Sequence, residues 1–163
     1  MAAMTAEPPT AVQTCIDEAL AGLGREPDAL LPLLHALQDR FGHVPARALA
    51  PLARALNLSR AEVHGVLSYY PHFRSEPAGI HLVQVCRAEA CQACGADDLF
   101  EQAERELGCA RGRTRADGAV TLEAVYCLGL CASSPALAID DKLHGRVTPP
   151  RLAELVRALE LAR

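Results

Sequence analysis

Apolar residues in the first 75 positions recur every three or four residues, which is the spacing of amphipathic helices. Glycine, proline and polar residues separate four such segments. The fourth segment has the clearest start, because Ser59 and Glu62 form an S-x-x-E capping box ahead of its apolar stripe. This part of the chain is therefore predicted to be a small helical bundle, with helices near residues 12–23, 28–40, 45–56 and 59–70.

The pattern changes after residue 79, where short β-branched runs alternate with helical segments. The predicted order is a strand at 80–85, a helix at 99–107, a strand at 119–126, a hairpin at 137–144 and a last helix opened by Thr148 and Pro149. The turn-rich stretch at 75–79 separates the two patterns. We therefore predict a helical bundle at residues 1–76 and a small α/β domain at residues 77–163.

The composition excludes several classes of function. With 163 residues, 50% of them hydrophobic, the chain can bury a core without disulfide bonds. A net charge of −4 gives no electrostatic reason to bind nucleic acid, and the apolar runs are shorter than the roughly 20 residues that cross a bilayer. The first ten residues contain no basic segment followed by an apolar run. We expect a cytoplasmic protein with no nucleic-acid partner and no direct membrane insertion.

Cysteine is the residue type that points to chemistry. The chain has seven cysteines, and six of them lie between positions 86 and 131. In a reducing compartment such thiols favour metal binding or redox chemistry over structural disulfides. Four of them form two pairs, Cys86 with Cys91 and Cys127 with Cys131, and each pair follows a predicted strand. If these strands are neighbours in one sheet, the four thiolates converge on one metal site.

Two kinds of metal site fit four converging thiolates. A [2Fe–2S] cluster takes two protein thiolates on each iron, whereas a structural zinc ion takes all four. The spacing within the pairs leaves both open. Gly129 lies between Cys127 and Cys131, where a residue free to adopt positive φ lets the backbone wrap closely around a metal. The helix that follows Cys94 is expected to direct its positive end toward the first pair, which suits an anionic cluster.

The other thiols have different expected roles. Cys91 and Cys94 form a C-x-x-C motif, which is also typical of a thioredoxin-like redox pair, although that interpretation leaves the downstream pair unexplained. If Cys91 binds metal, we expect Cys94 to be a spare buried thiol. Cys15 and Cys109 are expected to be small buried hydrophobic residues.

Several motifs are shared with one known family. In the first half these are Phe41-Gly42-His43-Val44-Pro45 and Tyr69-Tyr70, and in the second half Val85-Cys86, Cys91, Cys127-Leu128-Gly129, Cys131 and Pro135. With these motifs the chain resembles the thioredoxin-like [2Fe–2S] ferredoxin family, which includes the 24 kDa subunit of respiratory complex I. The resemblance implies a thioredoxin-like α/β domain, one [2Fe–2S] cluster that carries one electron at a time, and Cys86, Cys91, Cys127 and Cys131 as its ligands.

Within this family, residues 85–92, 119–123 and 125–127 look most like the gamma subunit of NAD-dependent, molybdenum-containing formate dehydrogenase. This likeness implies a partner flavoprotein that binds FMN and NAD, and a separate catalytic subunit with molybdenum and iron–sulfur centres. The chain itself would transfer electrons and catalyse no reaction. The corresponding subunit of complex I or of an NAD-linked hydrogenase is the alternative, and a zinc-stabilised structural adaptor is the alternative from another class.

Overall fold

The computed structural model describes residues 9–161, which divide into two compact units between Pro77 and Ala78. Each unit has its own hydrophobic core. The domain boundary predicted at residue 76 remains our proposal. Within the described residues no helix is long and apolar enough to cross a membrane.

The first unit contains the four predicted helices. They are α1 (Pro9–Leu23), α2 (Leu30–Phe41), α3 (Leu49–Ala55) and α4 (Arg60–Tyr69). Gly42 ends α2 with φ of 73°, a left-handed conformation that glycine adopts without strain. Helix α3 begins later than predicted, because Pro45 is extended and residues Ala46–Ala48 form a 3-10 turn before it.

The core of the first unit is aliphatic and contains one buried amide. Leu33, Leu34 and Leu37 of α2 are at most 1% exposed. Gln38 lies beside them and is 6% exposed. Its Nε2 donates to the carbonyl oxygen of His72 at 2.7 Å, and its Oε1 accepts from the amide of Arg74 at 2.7 Å. This one side chain therefore attaches the segment that follows α4 to α2.

The start of α4 has the capping box predicted from the sequence. The Ser59 hydroxyl accepts from the Glu62 amide at 3.1 Å, and the Glu62 carboxylate accepts from the Ser59 amide at 2.7 Å. The hydrogen bonds from the backbone amide and the side chain of Ser59 hold the pKa of Glu62 below its ordinary value. The charged form of Glu62 is therefore favoured by folding.

A Ser59→Ala variant should unfold at lower urea concentration, because an N-cap side chain contributes about 1 kcal/mol to stability. The pKa of Glu62 is lower in the folded state than in the unfolded state, so its share of the stabilisation is present above the unfolded pKa. That share is lost as the pH falls through the folded pKa. Alanine keeps the backbone amide that bonds the Glu62 carboxylate, so the variant loses only the part of the pKa shift that is due to the Ser59 hydroxyl. Urea unfolding at neutral pH and near pH 3 should thus show a slightly smaller difference between variant and wild type in acid. A larger difference in acid would contradict this coupling between the Ser59 hydroxyl and Glu62.

The second unit is built on a five-stranded mixed sheet, which confirms the predicted α/β class. The strands are β1 (His81–Cys86), β2 (Arg113–Thr114), β3 (Val120–Val125), β4 (Leu137–Ile139) and β5 (Lys142–His144), in the order β2-β3-β1-β4-β5. Strands β1 and β3 are parallel neighbours, and the other pairs are antiparallel. Buried residues of the sheet share one core with helices α6 (Ala96–Leu107) and α7 (Pro149–Leu161).

Two short elements of this unit differ from the sequence prediction. The segment predicted as a loop after β1 contains the helix α5 (Glu89–Ala93). Strand β2 adds an edge to the sheet inside a segment predicted to be irregular, and its Thr114 hydroxyl hydrogen-bonds that of Thr121 on β3 at 2.8 Å. Both elements are too short to show a periodicity in the sequence.

Candidate metal centre

The two parallel strands bring the two cysteine pairs to one edge of the sheet. Cys86 is the last residue of β1, and its register partner on β3 is Val125, two residues before Cys127. The hydrogen bond from the Arg87 amide to the Val125 carbonyl, 2.8 Å long, continues this pairing beyond β1. The loops that leave β1 and β3 therefore start side by side, as the sequence predicted.

Cys131 interacts with the other three thiols of the two pairs. The Sγ atoms of Cys127 and Cys131 are 3.7 Å apart. A hydrogen-bond interaction with the Cys91 thiol is one of the causes that lower the pKa of Cys86. The pKa of Cys131 is raised first by its hydrogen bond and charge interaction with Cys127, and further by burial and by the charges of Cys91 and Cys86. Mutual repulsion of this kind arises when several thiolates are close together.

The four thiols are arranged as two separate pairs. Among the described residues, no three His, Cys, Asp or Glu side chains are grouped so as to hold one metal ion. A [2Fe–2S] cluster requires only two protein sulfurs on each iron, since bridging sulfides complete each tetrahedron. Two close pairs at one sheet edge are therefore a donor set that fits such a cluster.

The two pairs differ in exposure. Cys86 and Cys91 are each 2% exposed and pack with Ala96 and Ala136 in a small buried cluster of their own. Cys127 and Cys131 are exposed. A group bound by all four sulfurs would have one side enclosed by small side chains and the other side facing outward.

Backbone amides surround Cys86. Burial raises the pKa of this thiol, but hydrogen bonds from the amides of Ala88, Leu128 and Cys127 and from the Cys91 thiol outweigh burial and hold the pKa below its ordinary value. The surroundings of Cys86 thus favour the thiolate, the form that binds metal.

The second loop bends tightly around its own sulfur. Cys127 and Gly129 have φ of 92° and 76°, and the Gly129 amide donates to the Cys127 sulfur at 3.4 Å. The positive φ expected for Gly129 is confirmed. The Gly129 amide is therefore a hydrogen-bond donor that stabilises negative charge on the Cys127 sulfur.

Arg87, the residue that follows Cys86, is bound to the first turn of α6. The Nε and Nη2 atoms of Arg87 donate to one carboxylate oxygen of Asp97, at 2.8 and 2.6 Å. Ala96, the first residue of α6, packs with Cys86 and Cys91. The start of α6 therefore lies against the buried thiol pair.

Ser134 was not predicted from the sequence and contacts both loops. Its Oγ lies 3.4 Å from the Cys91 sulfur and donates to the Cys131 carbonyl oxygen at 2.9 Å. Burial raises the pKa of Cys91, and the hydrogen bond with Ser134 partly offsets that rise. A single serine ahead of a proline carries no sequence pattern that would have indicated this position.

The remaining cysteines lie apart from the two pairs. Cys15 and Cys109 are buried, as predicted, and the Cys109 thiol donates to the Arg113 carbonyl at 3.0 Å. Cys94 is exposed, so the expectation that it is buried was wrong: α5 ends at Ala93, and Cys94 lies beyond it. The redox-pair interpretation requires a lowered thiol pKa, whereas burial raises the pKa of Cys91.

Comparisons with known proteins point to one family. The sequence model of a family described as thioredoxin-like [2Fe-2S] ferredoxin matches residues 16–160. The chain is 34% identical over 152 residues to a subunit of the NADH-quinone oxidoreductase of Rhizobium meliloti, covering 91% of this chain and 90% of that protein. It is 30% identical over 127 residues to NADP-reducing hydrogenase subunit HndA of Solidesulfovibrio fructosivorans, covering 78% and 74%.

A solved structure supports the fold. The crystal structure of an NAD+-reducing [NiFe]-hydrogenase in the H2-reduced state aligns with a TM-score of 0.68 at 23% identity. The alignment covers 85% of this chain and 23% of the hydrogenase chain. At this identity the likeness shows a shared fold only.

Proposed function

The chain belongs to the thioredoxin-like [2Fe–2S] ferredoxin family, and on that premise we propose that it is an electron-transfer subunit whose cluster is bound by Cys86, Cys91, Cys127 and Cys131. The family's cofactor is one [2Fe–2S] cluster. The observation that supports this ligand set is the meeting of two close thiol pairs at the adjacent ends of β1 and β3.

The residues around the thiols suit this role. When bound, a [2Fe–2S] cluster accepts one electron and passes it on. The buried pair, Cys86 and Cys91, excludes water from one side of the site, and the exposed pair leaves the other side open to a redox partner. The Gly129 amide stabilises negative charge on the Cys127 sulfur.

The chain acts within a larger complex. Its relatives are named as subunits of NADH-quinone oxidoreductases and of an NADP-reducing hydrogenase. We propose that its partner is a flavoprotein subunit that binds FMN and NAD, and that the complex is cytoplasmic. In this proposal, hydride transfer takes place on the flavoprotein, and this chain receives or stores single electrons.

For the parent complex we propose the NAD-dependent formate dehydrogenase, with a molybdenum- and iron–sulfur-containing subunit that oxidises formate. The support is the likeness of residues 85–92, 119–123 and 125–127 to the gamma subunits of such enzymes. Complex I and an NAD-linked hydrogenase are the competing parents, and the named relatives favour these two.

Co-purification from the native cells tests the parent complex. An affinity-tagged chain should recover a flavoprotein and a molybdenum-containing subunit, and the recovered complex should reduce NAD with formate. A strain that expresses the tag alone is the control. Recovery with membrane-embedded quinone-reducing subunits, or with a nickel–iron hydrogenase, would contradict the formate dehydrogenase assignment and leave the electron-transfer role in place.

A further inference from the structure

The Ser134 hydroxyl lies between a proposed ligand sulfur and the backbone of the other cysteine loop. Its Oγ is 3.4 Å from the Sγ of Cys91 and 2.9 Å from the carbonyl oxygen of Cys131. Cys91 is 2% exposed, so water has little access to its sulfur. Ser134 thus places a side-chain hydroxyl beside Cys91, a member of the buried pair.

A serine hydroxyl has a single proton to donate. In the thiol form, Cys91 can donate to Ser134 while Ser134 donates to the Cys131 carbonyl, so that the three groups form one chain of hydrogen bonds. A metal-bound Cys91 has no proton, and its sulfur becomes an acceptor with negative charge. Hydrogen bonds to charged acceptors are stronger than those to neutral ones, which favours donation from Ser134 to this sulfur.

We propose that Ser134 is a positioning residue that donates a hydrogen bond to the Cys91 sulfur and thereby raises the reduction potential of the [2Fe–2S] cluster. The inference rests on the proposed function, since it takes Cys91 as a ligand. Reduction adds one negative charge to the cluster, and a donor at a ligand sulfur stabilises the reduced form more than the oxidised form. Removal of the hydroxyl should therefore shift the potential to a more negative value.

The alternative is that Ser134 only shapes the loop through its bond to the Cys131 carbonyl. A set of four variants separates the two roles. Ser134→Ala and Ser134→Val remove the hydroxyl, whereas Ser134→Thr keeps it at nearly the size of valine. Ser133→Ala is the matched control, because within residues 9–161 the Ser133 hydroxyl has no hydrogen-bond partner.

Two quantities are measured. The first is the midpoint potential of the cluster, with the EPR signal of the reduced state as its readout. The second is the shift of the iron–sulfur Raman bands in deuterated water. Ser134→Ala and Ser134→Val should bind a full cluster with a more negative potential and a smaller deuterium shift than the wild type. Ser134→Thr should restore both values, and Ser133→Ala should change neither.

A wild-type potential in Ser134→Ala with a full cluster would overturn the inference. So would loss of the cluster from both hydroxyl-free variants, because the hydroxyl would then be a requirement for assembly. A Cys91→Ala variant distinguishes these results from failure of the proposed function. If that variant kept an unchanged cluster, Cys91 would not be a ligand and the ligand set itself would be wrong.

Discussion

A Cys127→Ala variant should purify without its cluster, losing the visible absorption, the EPR signal of the reduced state and about two irons per chain. The proposed site has four protein sulfurs, and removal of one leaves an iron with a single protein ligand. Because Cys127 is exposed, the substitution leaves no cavity in the core. Loss of the cluster can therefore be attributed to ligation and not to misfolding, which far-ultraviolet circular dichroism would verify.

Cys94→Ala is the matched control for this experiment. Cys94 is also exposed and lies only three positions beyond the proposed ligand Cys91, but it belongs to neither thiol pair. This variant should keep its iron, absorption and EPR signal. If Cys94→Ala lost the cluster while Cys127→Ala kept it, the ligand assignment would be incorrect.

A Gln38→Leu variant should lose roughly 2–3 kcal/mol of unfolding free energy, although leucine fits the aliphatic surroundings. The Gln38 amide is 6% exposed and makes two hydrogen bonds of 2.7 Å, to the carbonyl of His72 and the amide of Arg74. Leucine can make neither bond, and each backbone group left without a partner costs about 1–3 kcal/mol. The Arg74 carbonyl also accepts from the Val44 amide at 2.7 Å. If the loss of the Gln38 hydrogen bonds loosens the segment at residues 72–74, this bond to Val44 is weakened as well.

Urea unfolding followed by circular dichroism measures this loss, and Gln13→Leu is the control. Gln13 is also a helical glutamine of the first unit, but it is exposed, and within residues 9–161 its side chain bonds only Asp17, one turn away at 2.9 Å. Its replacement should change the unfolding free energy by less than about 0.5 kcal/mol. Equal effects of the two substitutions would show that the bonds of Gln38 contribute little.

The parts of the fold that could be predicted are those that depend on local sequence patterns, such as the spacing of apolar residues along a helix. The α2 stripe of Leu33, Leu34 and Leu37 is buried as its spacing indicates, and Gly42 ends that helix with positive φ. The cysteine pairs were found for a similar reason, because each pair follows directly after a strand whose neighbour the βαβ order identifies.

The parts that were not predicted depend on long-range contacts or on very short elements. Gln38 bonds residues 34 and 36 positions away, and nothing local distinguishes it from a surface glutamine. Ser134 contacts a sulfur 43 positions away. Helix α5 has five residues, which is fewer than two turns. A segment this short shows no helical periodicity in the sequence, so the burial of Cys91 and the exposure of Cys94 could not be predicted.

Metal and sulfide analysis of the wild-type protein, purified without exposure to air, tests the central claim most directly. We predict about two irons and two acid-labile sulfides per chain, with an EPR signal that appears on addition of one electron. A colourless protein with one zinc ion and no acid-labile sulfide would contradict it, and would instead make the four cysteines the ligands of a structural zinc site.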